Sequence, residues 1–202
     1  EKMGRQWIGI DVTYLAISLI ERRMKDAFPA VAKAYEIIGA PKDLASAEYL
    51  AQQDKFQFEC WAIAQVDAYP KTGKPKKGAD AGIDGIIYFA GENKRTERAV
   101  VQVKAGANTT VSMIRDLKGV MEREKAPIGV FITVSQPTRK MEEEAAATGV
   151  FQGVDGKPYP RLQIITLAEI FQGKKLKIPL VNPNAGFRRA KREEPKNGEL
   201  DV

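Results

Sequence analysis

The order of elements in this 202-residue chain predicts an α/β fold, with helices on both sides of a mixed β-sheet. Three observations support this fold class. Apolar residues recur at helical spacing in the first third of the chain. From Ile83 onward the apolar pattern changes to short strands. Those strands then alternate with amphipathic helices in the order β-β-α-β-α-β-α.

The first third of the chain is predicted to be helical. Residues 12–28 place apolar side chains on one face of a helix. Residues 43–67 form one or two further helices, and Glu59 lies on an otherwise apolar face of this region. The residues that share this face with it are Phe56, Cys60 and Ile63. We assign residues 1–42 to an N-terminal helical extension and start the main domain at residue 43.

Four strands are predicted in the remainder of the chain. Residues 83–90 and 99–105 are joined by a short turn, which favours an antiparallel hairpin. Residues 128–134 form a nearly continuous apolar run, which is typical of a strand buried on both faces. Residues 162–166 form the fourth strand, and a short helix follows it.

Polar residues mark the ends of the helices and of the domain. Ser112 and Thr138 are predicted to cap the two helices that lie between the strands. The main domain is expected to extend over residues 43–178. Residues 179–202 are rich in Pro, Asn, Lys, Arg and Glu, so they are expected to form a flexible charged tail.

The composition narrows the chemistry available to the chain. It has no histidine and a single cysteine, Cys60, which excludes Ser-His-Asp catalysis, histidine-ligated zinc and an internal disulfide. A metal, if used, would be a hard ion with oxygen ligands. The net charge of +6 favours a polyanionic partner. The sequence shows no secretory signal and no apolar run of about 18 residues, so we expect a cytoplasmic protein with no membrane partner.

Two adjoining predicted strands bring together residues that suit metal-assisted phosphodiester hydrolysis. Gln102 and Lys104 leave the same face of one strand, and Asp84 begins its neighbour. In a nuclease, Asp84 and the Gln102 carbonyl would bind Mg²⁺ and Lys104 would orient the attacking water, with Glu59 reaching the same metal. Each residue also has a structural interpretation, because Asp84 could start a strand and Gln102 could be a satisfied core amide. Lys104 could extend its side chain to the sheet edge, and Glu59 could lie at the margin of its helix.

The stretches GADAGIDG (78–85) and VVQVKAG (100–106) resemble the core of the PD-(D/E)XK nuclease superfamily. The resemblance is to the Mrr-like restriction endonucleases, whose third motif is Q-x-K. It continues through residues 128–149 and covers roughly residues 50–171. The same motifs resemble domains at the C-terminal end of DNA adenine methyltransferases. The resemblance implies a restriction-endonuclease-like fold with a central mixed sheet of four or more strands.

The resemblance also implies a site and an activity. It assigns Asp84, Gln102 and Lys104 as the catalytic motif, Glu59 as the acid on the preceding helix, and Asp80 as a further acid. The metal ligands would be Asp84, Gln102, Glu59 and Asp80, with Mg²⁺ or Mn²⁺ as cofactor. The implied activity is that of a metal-dependent DNA endonuclease in a restriction-modification context. Gln102 replaces a carboxylate, so metal binding should be weaker.

Double-stranded DNA is the expected partner. The cationic residues expected to contact it lie in the lysine-rich loop and on the helix after the hairpin: Lys71, Lys74, Lys76, Lys77, Arg115 and Lys118. Thr133 and Ser135 are further candidates for contact with a phosphate. A double-strand cut needs two sites or two events, which is compatible with a homodimer, and an upstream methyltransferase domain is a second expected partner. Two alternatives stay open: a catalytically weak or inactive DNA-binding module of this fold, and a structure-specific repair nuclease.

Overall fold

The computed structural model describes residues 7–28, 35–71 and 82–179. The helices in these ranges are α1 (Tyr14–Ala27), α2 (Leu44–Gln53), α3 (Lys55–Gln65), α4 (Val111–Glu124), α5 (Arg139–Ala146) and α6 (Leu167–Phe171). The strands are β1 (Tyr69–Pro70), β2 (Gly85–Ala90), β3 (Thr96–Lys104), β4 (Ile128–Thr133), β5 (Val150–Gln152), β6 (Pro158–Pro160) and β7 (Leu162–Thr166). The tail predicted at 179–202 lies outside the described residues except for Pro179.

The main sheet has five strands in the order β1-β2-β3-β4-β7. Its first three strands pair antiparallel, and β3, β4 and β7 pair parallel. This mixed sheet between helices confirms the predicted fold class, including the β2–β3 hairpin. The sequence did not predict β1 or the separate β5–β6 pair, because two or three residues are too few to show an alternating pattern.

Two apolar layers hold the sheet between helices. The layer on one face joins α3 to alternate residues of β3, such as Val101 and Val103, and includes Trp61. The layer on the other face joins α4 and α5 to Val100 and Phe131. All six residues of β4 are buried, as the apolar run at 128–134 predicts for a central strand.

The helix α3 is buried on more than the single face that the sequence suggests. Phe58 is fully buried, whereas Phe56, which we expected on the apolar face, is 50% exposed. The reason is that α3 lies between the sheet and the helices α1 and α2, so residues on several of its faces enter the core. The predicted face was therefore wrong for Phe56 and right for Cys60 and Ile63.

One predicted helix cap is confirmed and the other is wrong. The hydroxyl of Thr138 accepts a hydrogen bond from the Met141 N–H and caps α5. The helix α4 begins earlier than predicted, with Thr110 as its N-cap, so Ser112 lies within its first turn. The Thr110 hydroxyl contacts the Ser112 hydroxyl at 2.8 Å and makes no capping bond.

The chain after α6 returns to the sheet and is held there by one glutamine. The Gln163 side chain on β7 donates to the Lys177 carbonyl at 2.7 Å and accepts from the Lys177 N–H at 2.9 Å. Leu176 and Ile178, on either side of this contact, pack against the α3 layer. Residues 176–178 are thereby attached to the folded core, against which Leu176 and Ile178 pack. Throughout the described ranges, the helices are too short or too polar to cross a bilayer.

Candidate functional site

Asp84 and Lys104, two of the residues predicted to carry chemistry, lie at one edge of the main sheet. The parallel strands β3, β4 and β7 end together, with Lys104 beside Thr133 and Thr133 beside Thr166. The antiparallel strand β2 starts at this edge, where Gly85 pairs with Val101. Asp84 immediately precedes that pair, so it lies at the same edge as Lys104. Loops at the carboxyl ends of parallel strands are the usual location of binding sites in such sheets.

Asp84 is bound to the backbone of the Q-x-K motif. Its N–H donates to the Val101 carbonyl at 2.9 Å. Its Oδ2 accepts from the Val103 N–H at 2.7 Å. The regular β2–β3 pairing stops at Gly85, so the carboxylate takes the place of a main-chain acceptor for Val103. A short bond to an ionised carboxylate is among the stronger hydrogen bonds in proteins, so Asp84 has a structural role at the end of the hairpin.

Gln102 is enclosed in the layer beneath α4. Its side chain is 6% exposed, and its Oε1 is buried without a hydrogen-bond partner among the described residues. Gly82 closes over the amide, since a Cβ there would lie 3.2 Å from the Gln102 Nε2 and 3.3 Å from the Val120 Cγ2. The φ of +74° at Gly82 also favours glycine. The amide oxygen therefore faces protein and not solvent.

The carboxyl group of Glu59 interacts electrostatically with both Asp84 and Lys104. Burial raises the pKa of the Glu59 carboxyl, and the negative charge of Asp84 raises it further. Lys55 and Lys104 oppose this shift. The Lys55 Nζ lies 3.7 Å from a Glu59 oxygen, one helical turn away. Two carboxylates and two ammonium groups thus share this edge of the sheet.

The raised pKa of Glu59 gives a pH-dependent prediction. The folded chain binds the Glu59 proton more tightly than the unfolded chain does. The contribution of Glu59 to the free energy of unfolding is therefore fully present below the unfolded pKa of about 4.3, and it is lost as the pH rises through the folded pKa. Glu59→Gln should therefore raise Tm relative to wild type at pH 7, with a smaller difference at pH 4. The lost Lys55 pair subtracts less than about 0.5 kcal/mol from that gain.

Thermal unfolding at the two pH values measures this effect. Glu92→Gln is the matched control, because Glu92 is exposed in the β2–β3 turn. If Glu59→Gln and the control show the same dependence on pH, the assigned environment of Glu59 is wrong.

The cysteine next to Glu59 takes no part in chemistry here. Cys60 is buried in α3, and burial raises the pKa of its thiol to about 11. The thiol is therefore protonated at neutral pH and is a poor nucleophile and metal ligand.

The residues predicted to bind DNA are spread over several elements. Lys71 is exposed directly after β1. The Arg115 Nε lies 2.9 Å from a Glu144 oxygen and joins α4 to α5. Lys118 is half-buried on α4. The other three residues predicted to contact DNA, Lys74, Lys76 and Lys77, lie outside the described residues, and so does the predicted metal ligand Asp80. DNA contact by this set stays a prediction.

The structure adds residues that the sequence analysis missed or left undeveloped. Lys55 was missed, although its i, i+4 spacing from Glu59 on a predicted helix is a usable signal. Thr109 contacts Ser135 across 26 positions of sequence, and no local pattern could reveal that contact. Thr133, which we noted as a phosphate contact, is fully buried at the end of β4 and donates to the Ser135 carbonyl.

The described residues do not complete the predicted Mg²⁺ site. Among them, no three acidic residues or cysteines are grouped closely enough to hold a metal ion. The Asp84 Oδ2 is bonded to Val103, and the Gln102 Oε1 is enclosed. Mg²⁺ demands near-octahedral oxygen ligands and usually retains several waters, which an enclosed amide oxygen does not accommodate. Binding of Mg²⁺ or Mn²⁺ stays a prediction.

A mixed sheet between two helical layers, with an aspartate and a Q-x-K strand at one edge, defines a restriction-endonuclease-like domain. Residues 51–172 match the family model described as NACHT-associated inactive Restriction Endonuclease 1, and the chain belongs to that family. No curated protein matches the chain. The family confirms the restriction-endonuclease-like part of the resemblance. Its narrower Mrr-like and methyltransferase-linked parts stay predictions.

Proposed function

We propose that this chain is a catalytically inactive restriction-endonuclease-like module that binds double-stranded DNA without cutting it. The main observation behind the proposal is how the two predicted metal ligands on the hairpin are bonded and enclosed. Asp84 holds the Val103 N–H, and Gln102 is enclosed beneath Gly82. The description of the family as inactive supports this alternative better than it supports an active nuclease.

Binding to DNA is supported by charge. Lys104 lies at the end of β3 beside the half-buried Glu59, and the whole chain carries a net charge of +6. Lys71, Arg115 and Lys118 are the further contacts we propose among the described residues. Lysine and arginine contacts to phosphates displace counterions, so the affinity should fall steeply with salt.

The module would be one part of a larger system. The description of the family associates its members with NACHT, and we propose the same association for this chain. An upstream methyltransferase domain and a homodimer on DNA are the other predicted partners, and a cytoplasmic location remains the expected one. We propose the boundaries 43–178 for the nuclease-like domain, with 1–42 as an extension and 179–202 as a tail.

The competing proposal is an active Mg²⁺-dependent endonuclease, either for restriction or for branched repair intermediates. It requires the Gln102 amide oxygen to leave its enclosure and Asp80 to join Asp84 at the metal. Lys104 would then orient the attacking water. This proposal is favoured only by the residue types of the motif.

Cleavage and binding assays on one preparation separate the two proposals. The wild-type chain should leave supercoiled plasmid intact with Mg²⁺, Mn²⁺ or EDTA, and should still bind a short DNA duplex. Lys104→Ala should weaken that binding and reduce the slope of log affinity against log salt by about 1. Lys157→Ala is the matched control, since Lys157 lies in the exposed β5–β6 turn.

Each alternative result has a clear meaning. Nicking that needs Mg²⁺ and disappears in Lys104→Ala would overturn the inactive module in favour of a nuclease. Cleavage of branched substrates alone would favour the repair nuclease. A wild-type chain that binds no DNA at low salt would remove DNA as the partner.

A further inference from the structure

We infer that the carboxyl edge of the sheet contains a binding site for one phosphate group, formed by Lys104, Thr109 and Ser135. The inference deepens the proposed function and relies on it only for the molecule that carries the phosphate. It assigns a role to side chains that the fold brings together from two separate loops. The residues on which it depends lie within the described ranges.

Three hydroxyl groups join the loops that follow β3 and β4, and we call them the hydroxyl cluster: Thr109, Thr133 and Ser135. The Thr109 and Ser135 hydroxyls lie 3.3 Å apart. The Thr133 hydroxyl lies 3.2 Å from the Ser135 carbonyl and 3.4 Å from the Ser135 hydroxyl. Thr109 and Ser135 are half-buried, so this cluster is shielded on one side and open on the other.

The hydroxyls of this cluster are weakly bonded to one another. Hydrogen bonds between hydroxyl and oxygen usually measure about 2.5–3.0 Å, and every contact in the cluster is longer. The Thr110–Ser112 pair nearby, at 2.8 Å, shows the normal length. Hydroxyl protons rotate freely about the C–O bond. Thr109 and Ser135 can therefore turn their protons toward a stronger acceptor without breaking a good bond.

Lys104 supplies the positive charge. It is paired with Thr133 across the parallel β3–β4 ladder, so the two side chains leave the same face of the sheet. Lys104 is half-buried, which strengthens its attraction to an anion relative to a fully exposed lysine. The pairing of Lys104 with Thr133 brings this lysine to the strand end that carries the hydroxyl cluster. One ammonium and two reorientable hydroxyls at the same sheet edge would match a phosphate, which accepts several hydrogen bonds and carries negative charge.

The carboxylates at this edge limit which ligands fit. Glu59 and Asp84 would repel an anion placed among them, and the hydroxyl cluster lies on the other side of Lys104 along the sheet, toward β4. A phosphate there is separated from Asp84 by the strand β3. A terminal phosphate and an internal phosphodiester of DNA share the chemistry this site recognises.

The first experiment uses inorganic phosphate as the probe. Thermal unfolding of wild type is compared in sodium phosphate and in sodium chloride at equal ionic strength. Phosphate should raise the Tm of wild type, and Ser135→Ala and Thr109→Val should each weaken the apparent affinity by roughly 3- to 10-fold, the usual effect of one hydrogen bond. Ser18→Ala is the matched control, since Ser18 is a half-buried serine on α1 that bonds only a local carbonyl.

The second experiment identifies the carrier of the phosphate. Wild type and Ser135→Ala are titrated with a duplex that carries 5′-phosphates, the same duplex without them, and a closed dumbbell duplex that has no ends. A preference for the phosphorylated duplex that Ser135→Ala loses identifies a terminal phosphate. Weaker binding of Ser135→Ala to the dumbbell identifies an internal phosphodiester. Ser135→Ala should leave the salt slope unchanged, whereas Lys104→Gln should lower it by about 1.

The outcomes distinguish this inference from the proposed function. If phosphate stabilises wild type and both hydroxyl variants equally, or stabilises none of them, the inference is overturned even when DNA binds. If phosphate stabilises wild type selectively but no DNA binds, the phosphate site stands and the proposed DNA-binding function fails.

Discussion

Replacing Gln102 with glutamate is expected to destabilise the fold by roughly 2–4 kcal/mol at pH 7 without metal, a fall in Tm of roughly 4–16 °C. The reason is that the substitution puts a carboxylate in a position that is 6% exposed, where the existing amide oxygen already has no hydrogen-bond partner among the described residues. Burial would raise the pKa of the new carboxyl, so the folded variant would hold its proton more tightly than the unfolded one. Its loss of stability should therefore be small near pH 4 and grow as the pH rises.

Denaturant unfolding of Gln102→Glu at both pH values, with and without Mg²⁺, measures this effect. Gln102→Leu is the matched control, since it removes the unpartnered oxygen without adding charge. It should be neutral or more stable than wild type by up to about 1 kcal/mol. If Gln102→Glu is as stable as wild type in EDTA, the enclosure of this residue is wrong. Selective rescue of Gln102→Glu by Mg²⁺ would show that the edge can hold a metal.

Replacing Asp84 with alanine is expected to cost about 1–3 kcal/mol, because it leaves the Val103 N–H without its acceptor. Asp84→Asn should lose less, since an amide oxygen still accepts that bond in place of the carboxylate. The asparagine also removes the negative charge that raises the pKa of Glu59, so this pKa should fall toward its ordinary value. The expected order of stability is thus wild type, then Asp84→Asn, then Asp84→Ala.

Equilibrium unfolding of the three proteins in EDTA tests this order. Amide hydrogen exchange at Val103 gives a local readout, because its protection should be lost in Asp84→Ala and kept in part in Asp84→Asn. Equal stabilities for the two variants would contradict the structural role of the carboxylate. That result would favour the other interpretation of Asp84, as a metal ligand of the catalytic motif.

Long and regular elements of this fold were predictable from the sequence because local patterns specify them. The apolar run of β4 and the capping of α5 by Thr138 are of this kind. The alternation of β3 correctly separated Gln102 and Lys104 from Val101 and Val103. The short strands and the exposure of Phe56 depend on which helices pack around α3, and no local pattern reports that.

For the candidate site, the sequence predicted which strand ends carry the motif residues, but not how their side chains are bonded and packed. The motif letters place Asp84 and Lys104 at one edge of the sheet in an active or an inactive domain alike. The letters of the motif do not report the contacts of these side chains. The closure of Gly82 over Gln102 and the bond from Val103 to Asp84 arise from packing between distant segments.

The contact between Gln163 and Lys177 decides how short a working fragment of this chain can be. The family match ends at residue 172, but a protein truncated there would lose the two hydrogen bonds between the Gln163 side chain and Lys177, and the apolar cover from Leu176 and Ile178. The match begins at residue 51, although Gln57 on α3 bonds the backbone of Tyr14. Recombinant expression of the matched segment 51–172 alone would therefore yield a protease-sensitive product, and cloning boundaries should enclose α1 and residue 179.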